Sequence, residues 1–332
     1  MPRTLRAVPS IGALTVVLSV MLYSASAEDQ ASDLAFIRPA QPDLPEAVVR
    51  VTPISDALRQ EYDLDPFYQK VAVIDGLPII GSAKVSDYAF LECAYVLDHM
   101  LRGCDKIKQA LREGKVRIGI IAATEYTMDI PENKNPRMLA RAAFHDRRSR
   151  GLGGRRLATC GEENLLSLRG DPYRRENITI HEFSHTIASN LRSVDPDWWS
   201  RLEQLYEQAM DEDLWANSYA ATNVQEYWAE GTQSWFDCNT PTDDGRVHNG
   251  VWRREKLTAY DPRLATFLAE TFGDGEWRYA KTTDRGDDEL LHLRGIDREQ
   301  LPEFNFANSP RIQTDESAGR GAGRPQPAEQ AR

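Results

Sequence analysis

The segment from Ile178 to Ile187 constrains the fold more than any other part of the chain. It reads Ile-Thr-Ile-His-Glu-Phe-Ser-His-Thr-Ile, and Glu182 is its only residue with a formal charge at neutral pH. Such a largely apolar stretch predicts a helix over 177–191 that is buried inside a folded domain. Residues four apart share one helical face, so His181 and His185 would present their imidazoles side by side.

The His-Glu-x-x-His spacing is a hypothesis for a metal site. Two imidazoles on one face can bind one ion, and Glu182 would lie close enough to accept a proton from water on that ion. The expected cofactor is one catalytic Zn²⁺, because imidazole and carboxylate ligands in an open site suit zinc. A catalytic zinc needs a third protein ligand. A histidine six residues beyond His185 is excluded, because Leu191 stands there.

A downstream helix offers carboxylates for the third position. The pattern Thr222-x-x-Gln225 is a capping box and predicts a helix that runs to about Asp237. This helix carries Glu226 and Glu230 one turn apart on one face. The pair suits a metal ligand and a second carboxylate that orients a ligand imidazole, and the spacing leaves open which glutamate has which role.

Together the two segments resemble the catalytic domain of anthrax lethal factor and related gluzincin peptidases. The resemblance rests on the His181–His185 motif and on the stretch from Tyr219 to Glu230, Tyr-Ala-Ala-Thr-Asn-Val-Gln-Glu-Tyr-Trp-Ala-Glu. It covers about residues 178–236, and nothing outside this region resembles the other domains of that toxin.

The resemblance implies a zincin-like fold and a zinc-dependent peptidase. The implied roles are zinc ligation by His181, His185 and Glu226, proton transfer by Glu182, and oxyanion binding by Tyr219. Tyr227 is an alternative to Tyr219 for oxyanion binding.

The pattern along the chain predicts an α+β domain, with a small mixed sheet packed on the active-site helix and a helical C-terminal half. Val116 to Ala122 and Arg155 to Cys160 read as strands. We expect the second strand to lie at an edge and pair with an extended peptide, with Gly153 and Gly154 allowing close backbone approach. The predicted helices are Tyr88–Leu101, Asp105–Glu113, Asn177–Leu191, Pro196–Met210, Thr222–Asp237 and Pro262–Phe272.

The N-terminal residues predict export. Arg3 and Arg6 precede an apolar run from Ile11 to Tyr23, and the small residues Ser-Ala-Ser-Ala end at Ala27. This is the pattern of a signal peptide cut after about Ala27, so we expect a secreted or periplasmic protein. The predicted organisation is a signal peptide (1–27), a flexible lead-in (28–48), one zincin-like catalytic domain (49–307) and a disordered tail (308–332).

Four cysteines form an even set, and disulfides persist in the oxidising compartment that the export signal implies. Four cysteines allow three pairings. We favour Cys93 with Cys104, which are close in sequence, and Cys160 with Cys238 as a long-range bridge.

Composition excludes two classes of protein. The 40 basic and 51 acidic residues give a net charge of −11, which argues against a broad nucleic-acid surface. No apolar stretch reaches the roughly 18–20 residues that span a bilayer, so we expect no membrane span. The expected partner is a peptide or protein substrate.

The sequence therefore predicts a secreted zinc metallopeptidase. Two alternatives stay open: an exported binding protein that keeps a structural zinc site without turnover, and a zinc hydrolase of a non-peptide amide. Three other histidines, His145, His248 and His292, stand in polar stretches that predict exposed loops, although His145 or His248 can line a cleft.

Overall fold

The computed structural model describes residues 35–37, 48–242 and 247–317, and every structural statement below concerns this part of the chain. The predicted signal peptide (1–27) and most of the predicted lead-in lie outside the described residues. So does the end of the predicted tail, beyond residue 317.

A mixed sheet of six strands dominates the N-terminal half. Its strand order is β3-β4-β5-β6-β8-β7, and β5, β6 and β8 run parallel while the other neighbours are antiparallel. Two further short strands, β1 and β2, pair with each other, and β1 falls inside the predicted lead-in. The strands are β1 (Ala35–Ile37), β2 (Val48–Arg50), β3 (Thr52–Pro53), β4 (Lys70–Ile74), β5 (Leu77–Gly81), β6 (Arg117–Ile121), β7 (Leu152–Gly153) and β8 (Leu157–Gly161).

Helices dominate the C-terminal half, as the sequence predicts. The α-helices are α1 (Asp56–Tyr62), α2 (Asp87–Met100), α3 (Asp105–Glu113), α4 (Pro136–Leu139), α5 (Ala142–Arg148), α6 (Glu162–Leu165), α7 (Ile178–Val194), α8 (Pro196–Asp211), α9 (Val224–Trp235), α10 (Arg254–Tyr260), α11 (Pro262–Phe272) and α12 (Pro310–Ser317). Short 3₁₀ turns occupy Thr127–Asp129, Pro131–Asn133, Tyr219–Thr222, Asp287–Leu293 and Phe306–Asn308. The architecture is thus α+β, and no helix within the described ranges combines the length and apolar character that crossing a bilayer requires.

Helix α7 is buried, as its apolar sequence predicts. It packs on strand β8 and on helices α3, α8 and α9. Ile180, Phe183 and Ile187 are fully buried and belong to one apolar cluster with Ile118 and Ile120 of β6. Burial of these side chains fixes which face of α7 is left for the two histidines.

The edge of the sheet differs from the prediction. The strand expected over Arg155–Cys160 is β8, and it lies between β6 and β7, so the last strand in the order is β7 instead. The cause is a tight hairpin, in which the Gly154 backbone N–H donates to the Leu157 carbonyl at 2.8 Å. The hairpin brings Leu152 opposite Thr159 and Gly153 opposite Ala158.

The structure confirms the two helix starts that were predicted from Asp-Pro pairs, and it corrects the residue that caps α9. Asp195 and Asp261 accept hydrogen bonds from backbone N–H groups in the first turns of α8 and α11. Helix α9 is capped by Asn223, whose side chain accepts from the N–H groups of Gln225 and Glu226. Thr222, the predicted cap, belongs to the preceding 3₁₀ turn and lacks the extended backbone that a cap requires.

The predicted disulfides are wrong. All four cysteines fall in the described part of the chain, and all four are buried free thiols. Cys104 lies beside the Phe272 carbonyl at the end of α11, and Cys238 donates to the Gln233 carbonyl at 3.3 Å. In the fold, the sulfur atoms of Cys104 and Cys238 therefore contact backbone carbonyl groups rather than forming the predicted bonds to Cys93 and Cys160. His292 is also not exposed: it is buried and hydrogen-bonds Glu92 at 2.8 Å.

Helix α12 lies inside the predicted disordered tail. Its Arg311 binds Asp129 at 2.6 Å and the fully buried Asp146 at 3.0 Å. Its Asp315 accepts from Arg147 of α5 at 2.9 Å. Arg147 also pairs with Glu316 at 3.5 Å, so four ion pairs among the described residues hold the segment 127–148 against α12.

Gly153 tests the packing of β7 on α7. A Cβ at this position would lie 2.4 Å from the Glu182 carbonyl oxygen and 2.7 Å from His185 Cβ. We expect Gly153→Ala to lower the free energy of unfolding by about 1–3 kcal/mol, because backbone must move to admit the methyl group. Denaturant unfolding measures the change. The matched control is Gly275→Ala, where a Cβ meets nothing within 4 Å; an equal loss in both variants would contradict this packing.

Candidate metal centre

Two helices that cross in the core carry the site. Helix α7 is capped by Asn177, whose side chain accepts from the Ile180 N–H at 3.0 Å. The crossing with α9 is fixed by the buried Trp228, whose indole N–H donates to the Ser184 carbonyl of α7 at 2.9 Å. Trp228 also packs against Trp198 of α8 and stacks on Phe272 of α11. This crossing places Glu226 of α9 opposite the histidine face of α7.

The predicted ligands converge. The Nε2 atoms of His181 and His185 lie 3.2 Å apart. Oε2 of Glu226 lies 3.3 Å from each of these two nitrogen atoms. The ligand atoms of these three residues are close enough together to share one metal ion.

The spacing of the three atoms fits zinc. Tetrahedral ligands at the usual Zn–N and Zn–O distance of about 2.0–2.1 Å are about 3.3–3.4 Å apart. The observed separations of 3.2–3.3 Å match that spacing. Oε2 of Glu226 is moreover buried without a hydrogen-bond partner in the described part of the chain. A bound cation would satisfy this oxygen, so the residues fit the metal that the sequence predicts.

Glu230 and Gln233 set the orientation of the His181 ring. Gln233 Oε1 lies 2.8 Å from His181 Nδ1, whereas Glu230 Oε1 lies 3.7 Å from the same nitrogen. A proton on Nδ1 that is donated to Gln233 leaves Nε2 as the lone-pair donor toward the metal. The sequence predicts Glu230 for this role and misses Gln233. The missed signal is periodicity, because Glu226, Glu230 and Gln233 recur at i, i+4 and i+7 on one face of α9.

A third histidine, His248, extends this network. His248 Nε2 lies 3.4 Å from Glu176, and its Nδ1 lies 3.9 Å from Glu230 Oε2. Asn239 also donates to Glu230 Oε2 at 2.8 Å. Glu230 is therefore held from several sides and serves as a buried link between His181 and His248, rather than as a ligand.

Tyr219 lies beside the centre and Tyr227 does not. The Tyr219 hydroxyl donates to Glu226 Oε1 at 3.0 Å, and its ring lies nearly parallel to that of His181. The Tyr227 hydroxyl donates instead to Asp261 at 2.8 Å, in the core. The geometry thus excludes Tyr227 as the alternative hydroxyl and keeps Tyr219 within reach of the metal ligands.

Glu182 lies on the same side of α7 as the two histidines. Its carboxylate borders Gly153 of β7, because a Cβ on that glycine would lie 3.2 Å from Glu182 Oε2. The side chain is half-buried and lines the same cleft as His181, His185 and Glu226. It is therefore open to the cleft and stands apart from the three converging atoms.

The electrostatics of the cluster favour a charged Glu226 carboxylate and a neutral Tyr219 phenol. Burial alone would raise the pKa of Glu226, but the imidazoles of His181 and His185 hold it well below its ordinary value. Burial and the neighbouring Glu226 raise the pKa of Tyr219, so its hydroxyl stays protonated and remains a donor. Burial would lower the pKa of His181, yet Glu226, Glu182 and Glu230 raise it to about 10. A cation is thus favoured here, and metal binding must displace the proton on His181.

A cleft of about 1040 Å³ opens over the centre. Both histidines that the sequence considers as cleft residues, His145 and His248, line it. It extends across β7 to the face of the sheet that carries Arg117 and Leu157. The cluster is therefore accessible to a ligand much larger than water.

Gln233→Met tests the orienting role of Gln233. The change removes the acceptor for the His181 Nδ1 proton while conserving volume, so we expect zinc affinity to fall about 10- to 100-fold. Competition with a chromophoric chelator measures the affinity, and Gln208→Met on the exposed side of α8 is the control. Unchanged affinity would assign the acceptor role to Glu230, which lies 3.7 Å from the same nitrogen.

No protein-family model, curated protein or solved structure matches this chain.

Proposed function

We propose that the chain is a secreted zinc-dependent peptide hydrolase of the gluzincin type. The observation that carries this proposal is the convergence of His181, His185 and Glu226, whose ligand atoms are 3.2–3.3 Å apart beside a half-buried Glu182. Three protein ligands leave a tetrahedral zinc one open position. All three line the cleft, which favours a catalytic site over a closed structural one.

The side chains supply the elements of amide hydrolysis. Bound zinc would supply polarisation of the scissile carbonyl and acidification of a water. Glu182 accepts the proton of the attacking water and passes it to the leaving amine as the C–N bond breaks. The Tyr219 hydroxyl, which stays protonated, turns from Glu226 and donates to the developing oxyanion. His181 is kept in the correct tautomer by Gln233, so its Nε2 lone pair faces the centre.

The edge strand β7 is the proposed guide for the substrate backbone. It is the last strand in the sheet order, and Leu152, Gly153 and Gly154 line the cleft next to α7. An extended peptide that pairs with this edge would run past Glu182 and the histidines. Gly153 brings backbone to α7 without a side chain between them, which keeps the peptide close to the centre.

Glu182→Gln separates catalysis from metal binding. We expect the variant to retain one zinc per chain and to lose about 10²- to 10⁴-fold in kcat/KM, because the amide cannot take the proton from water. Elemental analysis measures the zinc, and a library of quenched fluorescent peptides measures cleavage. Glu207→Gln, on the exposed face of α8, is the matched control and should keep full activity.

The same measurements separate the alternatives. Loss of cleavage on removal of zinc by a chelator, with recovery on its return, supports the hydrolase. A zinc-loaded protein that leaves every peptide and every small amide intact would support a binding protein with structural zinc. Cleavage of a small amide alone would favour a hydrolase of non-peptide bonds.

A further inference from the structure

The charge on the cleft is unevenly distributed. The chain has more acidic than basic residues, 51 against 40. Four of the five glutamates that line the cleft, Glu176, Glu182, Glu226 and Glu230, surround the histidines. The described lining also carries four arginines, Arg117, Arg147, Arg148 and Arg156, and Glu132 is the fifth glutamate.

Three of these arginines, Arg117, Arg147 and Arg148, have partners within the chain. Arg147 donates to Asp315 of α12 at 2.9 Å. Arg117 donates through one terminal nitrogen to Glu132 at 2.8 Å. Glu132 also accepts from the Tyr68 hydroxyl at 2.6 Å, so its charge is already shared.

Arg156 and Arg117 both line the cleft that also contains the edge strand β7. The Arg156 side chain is exposed and makes no hydrogen bond or ion pair within residues 48–242 and 247–317. The Arg117 backbone N–H donates to the Arg156 carbonyl at 2.9 Å, so the two residues are neighbours. Arg117 is 8% exposed, and its Nε is buried without a partner in the described part of the chain.

We propose that this cleft selects peptides that carry an Asp or Glu side chain, which binds at Arg156 next to Arg117. The inference rests on the proposed function and names its substrate class. A carboxylate matches the fork of N–H donors on a guanidinium and would bring acceptors to a site that holds surplus donors. The same pair disfavours a Lys or Arg side chain, because like charges would then meet.

The position of Arg156 predicts where the carboxylate must stand. Gly153 lies against His185, and Arg156 is three residues further along the chain, so their Cα atoms are at most about 11 Å apart. An extended peptide covers that distance in about three residues. The preferred acidic residue is therefore two to four residues from the scissile bond.

Matched peptides test the proposal. They are acetylated and amidated, carry a fluorophore and quencher, and differ only in Glu or Gln at one position two to four residues from the cleaved bond. For the zinc-loaded full chain we expect kcat/KM to be about fivefold higher for the Glu peptide, the size of a single exposed charge contact. Arg156→Ala should abolish this difference, and salt should reduce it.

Arg155→Ala is the control, because Arg155 is equally exposed and adjacent but does not line the cleft. It should keep the preference for Glu. Equal cleavage of both peptides by the unchanged protein, or equal loss of preference in both variants, would overturn the proposal while leaving the hydrolase intact.

A binding measurement separates failure of the proposal from failure of the function. Fluorescence anisotropy with unquenched versions of the peptides is run on the Glu182→Gln protein, with and without zinc. Tighter binding of the Glu peptide that depends on Arg156 supports acidic recognition even if no peptide is cleaved. The last peptide in the binding measurement is a Gln peptide with a free C-terminal carboxylate. Should only this peptide gain affinity through Arg156, the site would bind a chain terminus, and the side-chain assignment would be wrong.

Discussion

The crossing of α7 and α9 is the constraint on which the centre depends. Neither helix can form the cluster alone, because α7 supplies two imidazoles and α9 supplies the carboxylate. The hydrogen bond from Trp228 to the Ser184 carbonyl fixes their relative position one residue before His185. Gly231 allows close packing on the other side of α9, since a Cβ there would lie 2.6 Å from Leu264. The geometry of the cluster is thus set by apolar packing rather than by the ligand atoms themselves.

That arrangement explains why polar groups of this kind are tolerated in the core. A buried carboxylate and two buried imidazoles carry a large desolvation cost unless each polar atom has a partner. Gln233 satisfies one nitrogen of His181, and Tyr219 satisfies one oxygen of Glu226. Glu226 Oε2 and the two Nε2 atoms face each other, and His185 Nδ1 is a further buried atom without a hydrogen-bond partner in the described part of the chain. Three atoms able to bind a cation are therefore grouped at one point, as the candidate metal site needs.

The sequence correctly predicts the features that depend on local spacing. Predictions fail for the features that depend on tertiary contacts. The i, i+4 rule places His181 and His185 on one face, and Asp-Pro pairs mark the starts of α8 and α11. Spacing narrows the candidates for the third ligand to Glu226 and Glu230, and only the crossing of α7 and α9 decides between them. Gln233 was missed because a neutral amide carries no chemical signature of its own in a sequence. It acquires its role from the ring that packs against it.

The remaining errors have the same origin. Proximity in sequence suggested the pairing of Cys93 with Cys104, but Cys104 follows the end of α2 and contacts Phe272. Strand β7 contains only Leu152 and Gly153, so no alternation of side chains in the sequence could reveal it as the edge. The helix at the C-terminal end looked disordered because its own residues are mostly polar; the contacts that order it come from Asp129, Asp146 and Arg147.

Those contacts make the segment beside the cleft depend on residues that stand near the end of the described chain. Asp146 is fully buried, and both Ser309 and Arg311 bind its Oδ2. Until residues 309–311 reach their folded positions, this carboxylate lacks the Arg311 cation that offsets its burial, and the segment 127–148 beside the cleft lacks these contacts. A nascent chain would therefore carry the two histidines long before it has a finished binding surface, and completion would await almost the last residues that the structure describes.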